Sequence, residues 1–306
     1  RERTEYNIEN IDSEYIYLDI RQLEKLIIES IKPPVYKLSD KTLLNDYIFL
    51  CFLLGNDFVQ HTPSINIRYN GLSILVDIYK ELQEIHQGLF YIIDTHTDRL
   101  IHKQNLLLYL KELSKQEISR ILRIMTIREK QHNKMKRLQY NEQLDDLNLH
   151  KPILDRENEL NIFKNIKYWK INYYMYHIFH RDYNPSFDII IQDHIDNSCR
   201  LYLESLYWTS HYYFRHCISW KWMNEYNFGP SLNDIYDYLL NNDITINTDN
   251  NPILPEKQLE LVLPPSSFNL LHKKSSLSRY MYPHNFDESH LLKRYNWESY
   301  PIIPYS

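Results

Sequence analysis

The chain has 306 residues, of which 43% are hydrophobic and 25% charged, a balance that fits a globular protein with a sizeable core. Its net charge of −5 gives no global signature of nucleic-acid binding, so any such surface has to be a local basic patch. No apolar run approaches about 18 residues, which argues against a membrane span. The three cysteines, Cys51, Cys199 and Cys217, are too few and too scattered for a disulfide framework or a zinc site. A reducing compartment, cytoplasm or nucleus, is expected, with Cys51 a buried thiol inside an apolar run. The opening Arg1-Glu2-Arg3-Thr4 has neither an initiator Met nor a signal-peptide pattern, and a piece of a longer protein is expected. The 27 tyrosines, with abundant Asn and Ile, fit an AT-rich genome and do not by number alone mark a binding platform.

In chain order, Tyr15–Ile20 alternates weakly and reads as a short strand or entry segment. Leu23, Leu26, Ile27 and Ile31 place a helix over Arg21–Ile31, which Pro33-Pro34 ends. Ser39-Asp40 caps a second helix that runs to about Leu54, apolar almost all round and therefore central to the core. Gly55 suits the position just past its end. After Asn70-Gly71 another helical face follows, from Leu72, Leu75, Val76, Ile78 and Tyr79. Leu89–Ile93 and Arg99–Ile101 flank a polar turn as a possible small hairpin. Asn105–Leu113, Gln116–Tyr140, Phe163–Phe179 and Gln192–His216 have helical period, and Pro230–Leu240 suits a short helix. Asn141–Glu159 reads as a polar loop or linker, and the chain beyond Leu240 as an aperiodic wrap over a finished core.

The segment with the most chemistry is Asn45–Lys80, where an apolar run stops at Gly55-Asn56-Asp57-Phe58, with His61 and Pro63 behind it. A helix that ends at glycine and then presents a carboxylate holds an acid at a fixed point beside a core. Metal-assisted phosphodiester hydrolysis needs several carboxylates converging on one or two divalent ions, so one aspartate is not a site. On spacing alone Asp57 is more simply an acid in a helix-end loop that bonds nearby amides. The basic run Arg120–Arg137 is likewise a solvated helix face by default, with phosphate tracking as the alternative.

The string F-L-C-F-L-L-G-N-D-F, followed by H-T-P-S-I-N-I-R and L-V-D-I-Y-K, resembles one segment of the XRN 5′→3′ exoribonucleases nearly position for position. A shorter version of it resembles the wider flap-endonuclease superfamily. Tyr202–Asp234 resembles a second XRN region, through Tyr202, Glu204, Leu206, Trp208, Tyr212, Tyr213, Ser219, Trp220, Trp222, Pro230 and Asp234. Pro255–Leu271, with Pro264-Pro265, and Lys293–Pro304, with Trp297, resemble the end of the same catalytic region.

The resemblance implies a mainly α fold: the helical domain of an XRN-type nuclease with a few short strands, packing on a missing N-terminal α/β nuclease domain. It divides the chain into residues 1–140, the end of the first conserved region with the G-N-D-F acid, a variable linker at 141–160, and a second conserved region at 161–306. The implied activity is 5′→3′ exoribonucleolytic degradation of single-stranded, 5′-monophosphorylated RNA by metal-dependent hydrolysis. In that reading Asp57 is a catalytic metal ligand for Mg²⁺, with Mn²⁺ as the alternative ion, and most ligands lie outside the chain. Asn56 and His61 support the acid, and Trp220 or Trp222 stacks RNA bases, because a ring face accepts any base. Glu204 holds structure through a buried hydrogen bond or ion pair.

Some positions depart from the pattern: Ser205, His216 and Ser299 stand where glycine is usual, and Glu225 and Asn227 replace proline and histidine. A non-catalytic RNA-binding or scaffold protein with an XRN-like fold is the alternative reading, and a DNA-directed flap-type nuclease a further one, disfavoured by Trp220-Lys221-Trp222. Taken alone, the 306 residues are expected to fold incompletely and to show no nuclease activity.

Overall fold

Helix α1 (Ile20–Ile31) starts where the Asp19 carboxylate accepts the N–H groups of Arg21 and Gln22 at 2.9 and 3.1 Å. The computed structural model describes residues 17–139, 153–179, 188–249 and 251–263, with short stretches at 267, 270–271, 288–289, 291–293, 295 and 300–301. Pro264-Pro265, Trp297 and Pro304, all part of the sequence resemblance, lie outside the described residues, as do Arg1–Thr4 and 140–152. Residues 17–19 are not in a strand and Ile20 already begins α1, so the described end of the Tyr15–Ile20 segment enters a helix.

Helix α2 (Asp40–Phe52) opens at Ser39, whose Oγ accepts the Thr42 N–H at 3.1 Å. Leu43, Phe49, Leu50 and Phe52 bury its apolar faces. A 3₁₀ turn at Ile67–Tyr69 leads through Asn70, left-handed at φ 68°, into α3 (Gly71–Ile85). Next come α4 (Lys103–Ser114), α5 (Glu117–Gln139), α6 (Glu157–Phe163) and α7 (Trp169–Tyr174), which runs on as a π-helical turn at Met175–Phe179. The long α8 (Asp188–Phe214) precedes α9 (Leu232–Asn241) and α10 (Pro255–Val262). Two-residue strands β1 (Glu288–Ser289) and β2 (Tyr300–Pro301) pair antiparallel.

Two local expectations are corrected and a third is met only in part. Leu89–Ile93 and Arg99–Ile101 pair antiparallel across the turn, but only through one bridge, Ile93 with Ile101, flanked by the Asp94 N–H to Leu100 O and His102 N–H to Ile92 O bonds at 2.7 and 2.8 Å. The pairing stops at Ile92, whose N–H goes to the buried Asp46 carboxylate at 3.0 Å, beside that of Ile93 at 2.7 Å. The helix expected over Phe163–Phe179 is broken between α6 and α7. There Asn165 accepts the Lys167 N–H on its side chain and the Tyr168 N–H on its carbonyl, a turn that competes with helix. Helix α10 lies in the stretch expected to be aperiodic; Pro255 at its first turn supplies the fixed φ that starts a helix.

Two hydrophobic cores share α8. The first joins α2, α3, α4 and α9 to Cys199, Tyr202, Leu203 and Leu206 of α8. The second gathers α6, α7 and the π turn with Ile121, Tyr226, Phe228 and Leu291, against Ile191 and Leu201 of α8. Their joint burial is the main stabilising contribution, and α8 fixes the orientation of one core to the other.

Buried polar ties join sequence-distant elements. Glu117 accepts the Leu232 N–H at 2.8 Å and Asn233 Nδ2 at 3.0 Å, so its carboxylate sits at the positive end of α9. Burial raises its pKa, partly opposed by those donors. Arg128 and Arg156 converge on Glu159 with all three side chains at most 5% exposed, and Arg128 also donates to the carbonyls of Leu292 and Lys293. Thus Arg128 of α5 and Arg156, directly before α6, are tied to one another through Glu159 of α6.

Candidate functional site

The Asp57 loop is built by its neighbours. Beyond α2 the N–H of Gly55 bonds the Phe52 carbonyl at 3.0 Å, and Gly55 turns the chain at φ 88°. Asn56 Oδ1 accepts the N–H groups of Phe58 and Val59, each at 2.8 Å, while the Asn56 N–H donates to Val59 O at 2.9 Å. Asn56 is therefore committed to closing its own turn. Val59 is fully buried and Phe58 partly so, which leaves the Asp57 side chain exposed between two fixed residues.

His61 lies behind this turn, in a close backbone packing. A Cβ on Gly55 would stand 2.9 Å from His61 Cβ, and one on Gly229 would stand 2.5 Å from the His61 carbonyl oxygen. Two of the four glycines thus pack against the same residue from segments that are far apart in sequence. Burial, and then the positive charges of Lys293 and Arg68, push the His61 pKa down to about 4, so the imidazole is neutral at pH 7. Its buried Nδ1 has no hydrogen-bond partner among the described residues.

A stack of rings adjoins the loop. On α8, Trp208 and Tyr212 are one turn apart and stack at 5.2 Å with 14° between planes. Trp222 stacks on Trp208 at 6.0 Å and 22°. Phe58, next to Asp57, packs on Trp208 at 5.1 Å and on Tyr212 at 5.6 Å. The two candidate tryptophans then part company. Trp222 is partly buried, and its Nε1 donates to Glu204 Oε2 at 2.8 Å. Glu204 also pairs with Arg200 at 2.5 Å, matching the structural role expected of it. Trp220 is 45% exposed, and its backbone N–H is tied to the Asp249 carbonyl at 3.1 Å.

The structure brings Asp57, Asn56 and Phe58 into one loop that touches the Trp208–Trp222 stack. Sequence reading gave Phe58, Trp208 and Tyr212 no role. The signal was present in the i, i+4 spacing of Trp208 and Tyr212 and in the aromatic residue directly after the acid. In the basic run, Arg120 and Arg128 are buried and bonded internally, whereas Arg123, Lys130, Lys134 and Lys136 are exposed. Among the described residues no group of three or more His, Cys, Asp or Glu is arranged to hold a metal ion. Magnesium binds proteins through one or two carboxylates, with waters and substrate phosphates completing the shell. The exposed Asp57 fits as a single donor to such an ion and not as a site by itself. Among the described residues, no helix is long and apolar enough to cross a membrane.

A family model described as the Xrn1 helical domain matches residues 37–168 and 165–306. The chain is 23% identical over 311 residues to 5′-3′ exoribonuclease 1 of Homo sapiens, covering 88% of this chain and 18% of that enzyme. It is 22% identical over 337 residues to the 5′-3′ exoribonuclease 2 homolog of Drosophila melanogaster, covering 95% of this chain and 36% of that protein. A short stretch of 37 residues is 51% identical to 5′-3′ exoribonuclease 2 of Eremothecium gossypii. The chain spans well under half the length of these relatives. With the family model covering nearly all of residues 37–306 and the helices and cores arranged as described, the chain belongs to the Xrn1 helical domain family.

Proposed function

We propose that this chain is the helical part of a longer 5′→3′ exoribonuclease that degrades single-stranded, 5′-monophosphorylated RNA. The observation that carries the proposal is the exposed Asp57 carboxylate, held between Asn56 and Phe58 and set beside an aromatic stack, in a chain of this family. In this reading residues 1–140 and 161–306 are the two conserved segments, joined by a variable linker at 141–160. An N-terminal nuclease domain, outside these residues, supplies the remaining acids.

Asp57 would be one of the residues that hold a divalent ion, Mg²⁺ or Mn²⁺. When bound, such an ion supplies an activated water and offsets charge on the leaving oxygen. Asn56 closes the turn that aims the carboxylate. His61, neutral and packed between two glycines, supports the loop from behind. Trp220 presents the more accessible ring face to RNA bases, and Trp222, locked by Glu204 and Trp208, forms the wall beside it. Three free cysteines fit a reducing compartment, cytoplasm or nucleus.

The test uses the full-length protein with end-labelled RNAs bearing 5′-monophosphate or 5′-triphosphate, with and without Mg²⁺. Faster Mg²⁺-dependent decay of the monophosphate RNA from its 5′ end supports the proposal. Equal decay of both RNAs removes the end specificity, and binding without any decay favours the non-catalytic scaffold.

A further inference from the structure

We infer that Trp208 is a positioning residue that couples the acid loop to the base-stacking loop, so that one indole sets the geometry of both. This rests on the reading of Asp57 and Trp220 proposed above. One part of the indole packs on Phe58 at 5.1 Å, and Phe58 is covalently next to Asp57. Its Nε1 donates to the Ser219 carbonyl at 2.9 Å, and Ser219 is covalently next to Trp220. Ser219 Oγ in turn accepts the Trp222 N–H at 3.2 Å, and the Trp222 ring stacks on the same indole. Tyr212, one helical turn along α8, closes the outer side of the stack and also touches Phe58.

Nothing else described links the two loops so directly. The Asp57 turn is closed by its own hydrogen bonds, and these fix its shape but not its place on α8. Phe58 is the side chain of that turn in ring contact with α8. The loop of Trp220 is held on its other side by a parallel bridge between Ser219 and Asp249. Trp208 is thus the contact common to both, and it is rooted in the long helix shared by the two cores. A rigid ring on a rigid element is the kind of support that keeps a catalytic group and a substrate-binding group in register. Trp208 does not have to touch RNA or metal to do this.

The experiment uses the full-length protein and two readouts that do not need turnover: Mn²⁺ affinity by electron spin resonance, and affinity for single-stranded RNA in EDTA. Phe58→Leu should weaken Mn²⁺ about 10-fold, the usual scale for losing a group that orients a ligand, and leave RNA affinity within about 2-fold. Trp208→Phe keeps a ring against Phe58 but loses the Nε1 bond to Ser219. It should weaken RNA binding about 10-fold, as for loss of one stacked base, with Mn²⁺ affinity nearly unchanged. Trp208→Leu should weaken both by about 10-fold. Trp169→Leu, in the second core, controls for loss of stability and should change neither readout. The coupling is overturned if Trp208→Leu moves only one readout, or if Trp169→Leu reproduces its pattern. Asp57→Ala separates the two levels. If it abolishes Mn²⁺ binding while Phe58→Leu and Trp208→Leu do not affect it, the coupling fails and the acid assignment stands. If Asp57→Ala leaves Mn²⁺ binding intact, the acid assignment fails and the coupling with it.

Discussion

Replacing Gly55 by alanine tests whether the turn before Asp57 is placed by backbone conformation. Gly55 sits at φ 88°, where an L side chain costs about 1–2 kcal/mol. The new Cβ would also lie 2.9 Å from His61 Cβ and 3.1 Å from His61 N. His61 cannot retreat freely, because Gly229 already packs on its carbonyl, so overpacking adds about 1–2 kcal/mol. The expected loss is about 2–4 kcal/mol, read from urea unfolding of the full-length protein. Gly88 provides the matched control. It has φ 78°, and its Cβ would lie 2.8 Å from the Val35 carbonyl, so Gly88→Ala should cost a similar amount. Only Gly55→Ala should also raise the Mg²⁺ concentration needed for half-maximal RNA decay. Equal metal dependence in the two variants, at equal loss of stability, would refute the claim that this turn places the acid.

Further outcomes follow from the polar ties and the rings. Glu159→Gln leaves Arg128 and Arg156 buried without their carboxylate and should cost about 3–5 kcal/mol in denaturant unfolding; a cost below about 1 kcal/mol would contradict the buried triad. Asp46 is buried and its pKa is pushed up to about 7 by desolvation, against hydrogen bonds from Tyr79, Ile93 and Ile92. The folded form therefore holds this proton more tightly than the unfolded chain, and stability should fall as pH rises from about 4 to about 7, by at most about 4 kcal/mol. Asp46→Asn should flatten that slope, and parallel pH profiles for both proteins would count against it. Trp220→Ala should lose RNA affinity with little change in stability, whereas Trp222→Ala, which removes one donor from Glu204 and unstacks Trp208, should mainly lose stability by about 2–4 kcal/mol. The reverse pattern would exchange their roles.

Most helices were legible because their apolar spacing and caps agree: Ser39 before α2 and the Leu72–Tyr79 face of α3 sit where the sequence puts them, and α9 falls on the short helix expected over Pro230–Leu240. The family was legible in strings of residues, not in composition. What stayed hidden has long-range causes. Asp46 in the middle of an apolar helix gives no local sign that it will accept amides 46 and 47 positions away. The break at residues 164–168 comes from an Asn turn that helical periodicity does not register. Trp220 and Trp222 are two residues apart in one motif, and their difference in exposure depends on Glu204 and Trp208 of another element. The close packing of Gly229 on the His61 carbonyl joins segments far apart in sequence and leaves no local sign.

The most direct test of the central claim is the Mg²⁺ dependence of RNA decay by the full-length protein carrying Asp57→Asn. The substitution keeps the size of the side chain and removes its charge, so the turn made by Asn56 should persist and thermal stability should stay within about 1 kcal/mol of wild type for this exposed position. Decay of 5′-monophosphate RNA should fall by about 100-fold or more at any Mg²⁺ concentration, with RNA affinity in EDTA preserved. Wild-type turnover at wild-type Mg²⁺ concentrations would show that Asp57 is only the acid of a helix-end loop.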